Sequence, residues 1–207
     1  YNWPSVAPFS LSADQQNSAF SGVPPKLNIL GSEYKAELSY VLSHGQEIAS
    51  ATERTNDQLL QALYYKLDTE IYAFETARIA SAARNLDMKK NAQLFALLAN
   101  AQADAREVAW ASKYSQQLWR PIDAINYSVL TNPTTDAITS FSWKPLAATP
   151  SHPSNTSGHS TTVSAAAQVL RSFFRSDAIV PKGAPQTLTT LGWLTGTNNG
   201  TGSVDAS

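Results

Sequence analysis

The sequence predicts an all-α fold, a helical bundle with an extended N-terminal arm. Apolar residues recur at helical spacing almost without interruption from Ser32 to about Tyr127. No period-2 alternation typical of β-strands stands out in the 207 residues. Residues 1–32 are rich in Pro, Ser, Asn and Gly, which favours an extended arm on the surface of a helical domain.

Caps and helix breakers divide the helical stretch into separate helices. Ser32 and the acidic residue Glu33 open a first helix that is expected to end at Gly45. Thr55 caps a second segment, and a third helix is predicted over residues 71–85.

The longest helix is predicted to begin near Asp87 and to end near Trp119, because Pro121 pushes the residue before it out of the helical region. The predicted apolar face of this helix consists of Leu94, Leu97, Leu98, Ala101, Ala105, Val108 and Ala109.

The remaining chain alternates loops with shorter helices. A short helix over about 122–129 is followed by a Pro-rich loop over 131–155 and by a helix over 158–174. The predicted apolar face of that last helix consists of Val163, Ala167, Leu170 and Phe174. A further short helix is expected near 186–194, before a Gly- and Asn-rich tail over 196–207.

The amino-acid composition limits the classes of protein to which the chain can belong. The chain is 43% hydrophobic and 15% charged, as in a globular domain, and its net charge of -1 argues against nucleic-acid or polybasic membrane binding. It has no cysteine, so disulfides and thiolate metal sites are excluded, and no apolar run long enough to predict a transmembrane helix. We expect one helical domain over residues 33–195, with 1–32 as the arm and 196–207 as a flexible tail or processing site.

The sequons of the chain favour a secreted or extracellular, glycosylated protein. The sequence begins at Tyr1 instead of a methionine, which suggests processing or a fragment. Sequons for N-glycosylation occur at Asn126, Asn155 and Asn199. Asn155 lies beside the candidate site described next, where a glycan would obstruct it.

Lys113 and Arg120 are the first part of a candidate anion site. Seven helical positions span nearly two turns, so the two side chains are predicted to point the same way, with Trp110 on an adjacent part of that face. The guanidinium offers a fork of donors matched to a tetrahedral oxyanion. The alternative is a pair of solvated basic residues on a surface helix.

Ser157, Gly158 and His159 form the second part. Ser157 can cap the following helix, Gly158 lets the backbone approach a ligand, and the helix N-terminus favours an anion. His159 is then placed to donate or accept a proton. The alternative is an ordinary serine cap beside an incidental histidine.

Other polar and aromatic residues are weaker candidates for a functional site. His152 either lines the pocket beside the anion or is a loop histidine bonded to the backbone. Asp104 and Glu107 are expected to form salt bridges, and Asp123 either orients Arg120 or stabilises a helix start. His44 is expected to be a surface or packing histidine, and a core role is expected for the tryptophans Trp3, Trp119, Trp143 and Trp193.

The two motifs together resemble those of vanadium-dependent haloperoxidases, which share a superfamily with type-2 phosphatidic acid phosphatases and bacterial acid phosphatases. The first resembling stretch runs from Ala103 to Ile125 and includes Trp110-Ala111-Ser112-Lys113 and Trp119-Arg120-Pro121. The second runs from Trp143-Lys144-Pro145 to Ser157-Gly158-His159-Ser160. The resemblance implies that Lys113, Arg120, Ser157 and Gly158 hold vanadate or phosphate and that His159 and Lys113 are catalytic. It further implies a pocket lined by Trp110 and His152.

The chain departs from the family pattern in two places. Thr156 stands where the family usually has proline before Ser-Gly-His. The family's third motif, an arginine followed by a histidine that ligates vanadium or is phosphorylated, has no counterpart, because none of the three histidines lies after His159. We therefore expect no metal ligand within this chain and a vanadium-ligating histidine on a missing segment.

Three hypotheses follow. The chain is the N-terminal portion of a split or nicked haloperoxidase that uses vanadate, hydrogen peroxide and halide, with a second polypeptide from the same precursor supplying the third motif. Alternatively it belongs to an acid phosphatase that hydrolyses a phosphate ester without a cofactor. A third hypothesis is a catalytically inactive helical protein that binds anions or partners.

Overall fold

The computed structural model describes residues 2–47, 53–66, 68–127 and 142–178. A 3-10 turn over Trp3–Ser5 precedes the α-helices of these ranges. The helices are α1 (Ala13–Ser21), α2 (Ser32–His44), α3 (Asn56–Tyr65), α4 (Thr69–Ala83), α5 (Met88–Gln116), α6 (Pro121–Asn126) and α7 (Gly158–Phe174). The only strand-like pairing in the described ranges is an isolated bridge between Gln46 and Pro145. The predicted all-α fold is confirmed.

Local capping explains most helix ends. Thr55 begins α3 with a capping box closed by Gln58, and Asp87 caps α5 by accepting a hydrogen bond from the Lys90 amide. The helix α5 ends at Gln116, earlier than the predicted Trp119, because Gln117 adopts a left-handed conformation with φ 48°. The predicted helix near 186–194, the tail and Trp193 lie outside the described residues.

Two apolar clusters stabilise the fold. The first joins α4, α5 and α7 and contains Ala73, Ala77, Leu94, Leu98, Ala166 and Leu170. The second joins α2 and α6 to the segment after residue 142 and contains Tyr34, Leu38, Ala124, Ile125 and Trp143. Both clusters position helix ends that carry candidate site residues. None of the described helices is long and apolar enough to cross a membrane.

The buried face of α7 differs from the predicted one. Thr162, Ala166 and Leu170 are buried, whereas Ala167 is exposed. The Thr162 hydroxyl donates to the Thr69 hydroxyl of α4 at 3.0 Å, which satisfies a polar group that would otherwise be costly to bury. An apolar pattern cannot identify such a threonine. On α5, Leu97 is 44% exposed despite its place in the predicted stripe.

The N-terminal arm packs along α5 and is not extended throughout, since it contains α1. A capping box between Ser12 and Gln15 starts that helix, and this signal was present in the sequence. The Asp104 carboxylate of α5 accepts hydrogen bonds from the amides of Phe9 at 2.6 Å and Ser10 at 2.9 Å, and from the Ser10 hydroxyl. Asp104 therefore holds the arm, where the sequence predicted a salt bridge.

We expect Asp104→Asn to destabilise the protein by about 1–2 kcal/mol, because an amide nitrogen would face backbone donors and the bonds to a charged acceptor would be lost. Chemical denaturation measures this change, and limited proteolysis should show earlier cleavage between residues 5 and 12. The matched control is Asp14→Asn on the exposed side of α1, with little effect on either measurement. Equal proteolysis of the two variants would contradict the proposed clamp.

Candidate anion-binding site

Lys113 is buried near the C-terminal end of α5, with a side chain that is 2% exposed. Its ammonium donates to the carbonyl oxygens of Pro153 at 3.1 Å and Ser154 at 2.9 Å. An ammonium group has three hydrogens, so one remains for a ligand. Burial lowers the pKa of Lys113 to about 8, and the positive charge of Arg120 acts in the same direction.

Arg120 reaches the same loop from a different helix. It is the N-cap of α6, and its Nε donates to the His152 carbonyl oxygen at 2.7 Å. Because α5 has already ended, helical spacing is not the reason that Lys113 and Arg120 converge, and that prediction was wrong. Their convergence arises from the segment 152–154, whose carbonyl oxygens both cations contact.

Trp110 joins α5 to this loop and to α7. The Lys113 ammonium lies 5.6 Å from the centre of its ring, and the His152 ring lies 4.9 Å away. A Cβ added to Gly158 would lie 2.6 Å from Cζ3 and 2.9 Å from Cη2 of this indole. The sequence assigned Gly158 to ligand approach, whereas the structure shows that the indole fills the space beside it.

The N-terminus of α7 is built by Ser157. Its hydroxyl oxygen accepts a hydrogen bond from the Ser160 amide at 3.2 Å, as predicted for an N-cap, and its own hydrogen is left to donate. The Gly158 amide opens the helix and so has no carbonyl partner within it. Ser157 and His159 are exposed, so this end of α7 faces the surface.

His152 lies between Arg120 and the backbone of its own loop. Its Nδ1 lies 2.7 Å from the Arg120 guanidinium and 3.2 Å from the Pro153 carbonyl oxygen. Burial lowers the pKa of His152, and the charges of Lys113 and Arg120 add to this effect, while the Pro153 hydrogen bond opposes it. Nδ1 accepts the guanidinium hydrogen in the neutral tautomer that carries its proton on Nε2, and in that tautomer it does not donate to the Pro153 carbonyl oxygen.

His152 also lines an open cleft of about 700 Å³ that it shares with Arg120 and Trp119. Trp119 is 47% exposed there, so the predicted core role does not hold for it. It packs against Tyr127 at 5.9 Å. This exposed aromatic pair was not predicted from the sequence. The signal for it was the position of Trp119 two residues before Pro121, where a helix was expected to end.

Residues 153–156 are attached to α5 by contacts that the sequence did not indicate. The Asn155 amide nitrogen donates to Gln116 Oε1 at 2.6 Å, and the hydroxyls of Ser112 and Thr156 are 3.4 Å apart. A glycan on Asn155 would disrupt the first of these bonds. Asn126 is similarly engaged, because its side chain exchanges hydrogen bonds with the backbone of Trp143.

The fold and the site define an all-α protein with one buried cation, Lys113, and one half-buried cation, Arg120, on the loop that leads into a helix N-terminus, an arrangement suited to oxyanions. Residues 93–200 match the family model of the VCPO second helical-bundle domain, the vanadium haloperoxidase domain. This match covers more than half of the chain, which therefore belongs to the vanadium haloperoxidase superfamily. No curated protein and no solved structure is significantly similar to it.

The donor set at this site fits vanadate, an oxyanion. Arg120 donates from Nε and from one Nη2 hydrogen to His152, so the other guanidinium hydrogens remain for a ligand. Lys113 also retains one ammonium hydrogen for a ligand. Ser157 and the Gly158 amide add neutral donors at the positive end of the α7 dipole. These four residues would hold the anion through hydrogen bonds and charge.

Proposed function

We propose that the chain forms the anion-binding part of a vanadate-dependent haloperoxidase-like enzyme, which oxidises halide with hydrogen peroxide. The observation that supports it best is the convergence of Lys113 and Arg120 on the loop that leads into Ser157-Gly158-His159. Superfamily membership supports vanadate as the class of cofactor. The fit of the donor set to an oxyanion supports binding of the cofactor at this site. Secretion of the protein is part of the same proposal.

The chain's own residues have separate tasks in this proposal. Lys113 and Arg120 balance the negative charge of the oxyanion, and Lys113 polarises an oxygen atom bound near it. His159 exchanges a proton with an oxygen atom at the α7 N-terminus, so that peroxide, halide and a proton give hypohalous acid and water. Bound vanadate supplies the Lewis acidity that makes the peroxide reactive.

The proposal requires residues beyond the 207 of this sequence. An arginine and a histidine of the third motif must come from elsewhere in the precursor, either on the continuing chain or on a second polypeptide. The intact mass of the native material under denaturing conditions identifies the covalent species present.

We expect the native protein to brominate phenol red when vanadate, peroxide and bromide are all present, and to lose this activity when vanadate is removed. Re-addition of vanadate should restore it. The matched control is hydrolysis of p-nitrophenyl phosphate, which vanadate should inhibit if the protein is instead a phosphatase. Absence of bromination in vanadate-loaded material that contains the third motif would overturn the proposal.

A further inference from the structure

A second cleft, of about 380 Å³, lies between α2, α3, the start of α6 and the segment 143–150. Its volume falls within the range of small-molecule sites. Val41, Leu63, Ile122 and Trp143 contribute apolar walls. Basic side chains border it at the two ends of α3 and at the start of α6, namely Arg54, Lys66 and Arg120. None of the described residues that line it is acidic, so the lining itself carries positive charge.

Arg54 is already oriented within this cleft. Its Nη1 donates to the carbonyl oxygens of His44 at 2.8 Å and Gln46 at 2.6 Å. These two bonds use the hydrogens of Nη1 and fix the plane of the guanidinium. No acceptor among the described residues bonds to Nε or Nη2, and these two nitrogens form the edge that binds a carboxylate in a bidentate manner.

Glu53, which precedes Arg54 in the sequence, lies beside His44. Glu53 Oε2 lies 3.8 Å from His44 Nδ1, and its side chain is 61% exposed. Glu53 does not line the cleft, and its attraction to His44 requires a protonated imidazole. An anion inside the cleft would therefore meet a net positive environment with apolar walls.

We propose that this cleft binds a small organic acid, with its carboxylate on the free edge of Arg54 and its apolar body against Leu63, Ile122 and Trp143. The carboxylate has two oxygens in one plane and a single charge, which matches a guanidinium edge. Lys66 adds a second positive charge at the C-terminal end of α3. The apolar walls favour an aromatic or branched aliphatic acid over a hydrophilic one.

Calorimetric titration with 2-naphthoate, without vanadate, peroxide or halide, tests this site separately from the proposed enzymatic activity. We expect saturable binding of 2-naphthoate that is at least about tenfold tighter than binding of 2-acetylnaphthalene, which has a similar shape but no charge. Lys66→Gln should weaken binding of 2-naphthoate by about two- to fivefold. Lys89→Gln, which makes the same charge change on the exposed start of α5, should leave it unchanged.

Ala62→Phe provides a second, steric test. Ala62 lines the cleft and is exposed, so a larger side chain there would occupy the cleft without overpacking a core. We expect this variant to fold normally and to lose 2-naphthoate binding. Equal affinity for the neutral analogue, undiminished binding by Ala62→Phe, or no binding of 2-naphthoate by the wild-type chain would each overturn the inference.

Discussion

Gly158→Ala is expected to destabilise the protein by about 3 kcal/mol, at the upper end of the cost of overpacking a well-packed site. The new methyl carbon would lie 2.6 Å and 2.9 Å from two ring atoms of Trp110. The indole cannot move freely, because Lys113, His152 and Trp3 surround it. For a chain of this size the cost corresponds to a decrease in Tm of about 6–12 °C in a thermal unfolding experiment.

The matched control for this variant is Gly22→Ala. A Cβ at Gly22 would meet its nearest neighbour at 3.4 Å, an ordinary contact, so a small effect is expected. Trp110→Phe removes the ring atoms that clash with the new methyl group. The double variant Gly158→Ala/Trp110→Phe should therefore lose less stability than the sum of the losses in the two single variants. Strict additivity would show that Trp110 is not the reason for glycine at position 158.

Lys113→Met is expected to weaken binding of sulfate, a probe for the oxyanion, by about 10- to 100-fold, since a hydrogen bond from a charged donor is lost. Sulfate stays a dianion between pH 6 and 10, so the pH dependence of its affinity reports on the protein. Affinity should be constant below about pH 8 and fall above it, because the pKa of Lys113 is lowered to about 8. Calorimetric titration across this range measures both effects.

The control is Lys89→Met, which removes a lysine from the exposed start of α5. This variant should keep both the affinity and its decline above pH 8. A decline that persists in Lys113→Met would assign the titration to another group. It would also contradict the placement of the anion beside Lys113.

Lys113 also affects stability in a pH-dependent manner. Its pKa in the folded protein lies below the ordinary value of 10.5, so between about pH 8 and 10.5 the unfolded chain binds more protons than the folded one. The contribution of Lys113 to stability therefore rises with pH across this window. It is lost as the pH falls through 8.

Local signals in the sequence were enough to predict most of the helices. The cap at Thr55, the acidic cap at Asp87 and the serine cap at Ser157 act through neighbouring backbone amides, so a few adjacent residues determine where those helices begin. Spacing and neighbours also indicated the two motifs around Lys113 and Ser157. Residues 93–200, which contain both motifs, match the superfamily model.

Tertiary structure alone decided how those motifs meet. Gln117 ends α5 before Arg120, so the two cations converge through the carbonyl oxygens of residues 152–154 and not through helical periodicity. The function of Gly158 depends on an indole 48 positions earlier in the chain. Sequence by itself determined the helices, because their signals are local. The tertiary structure decided the site, because the contacts of the site join residues that are far apart in the sequence.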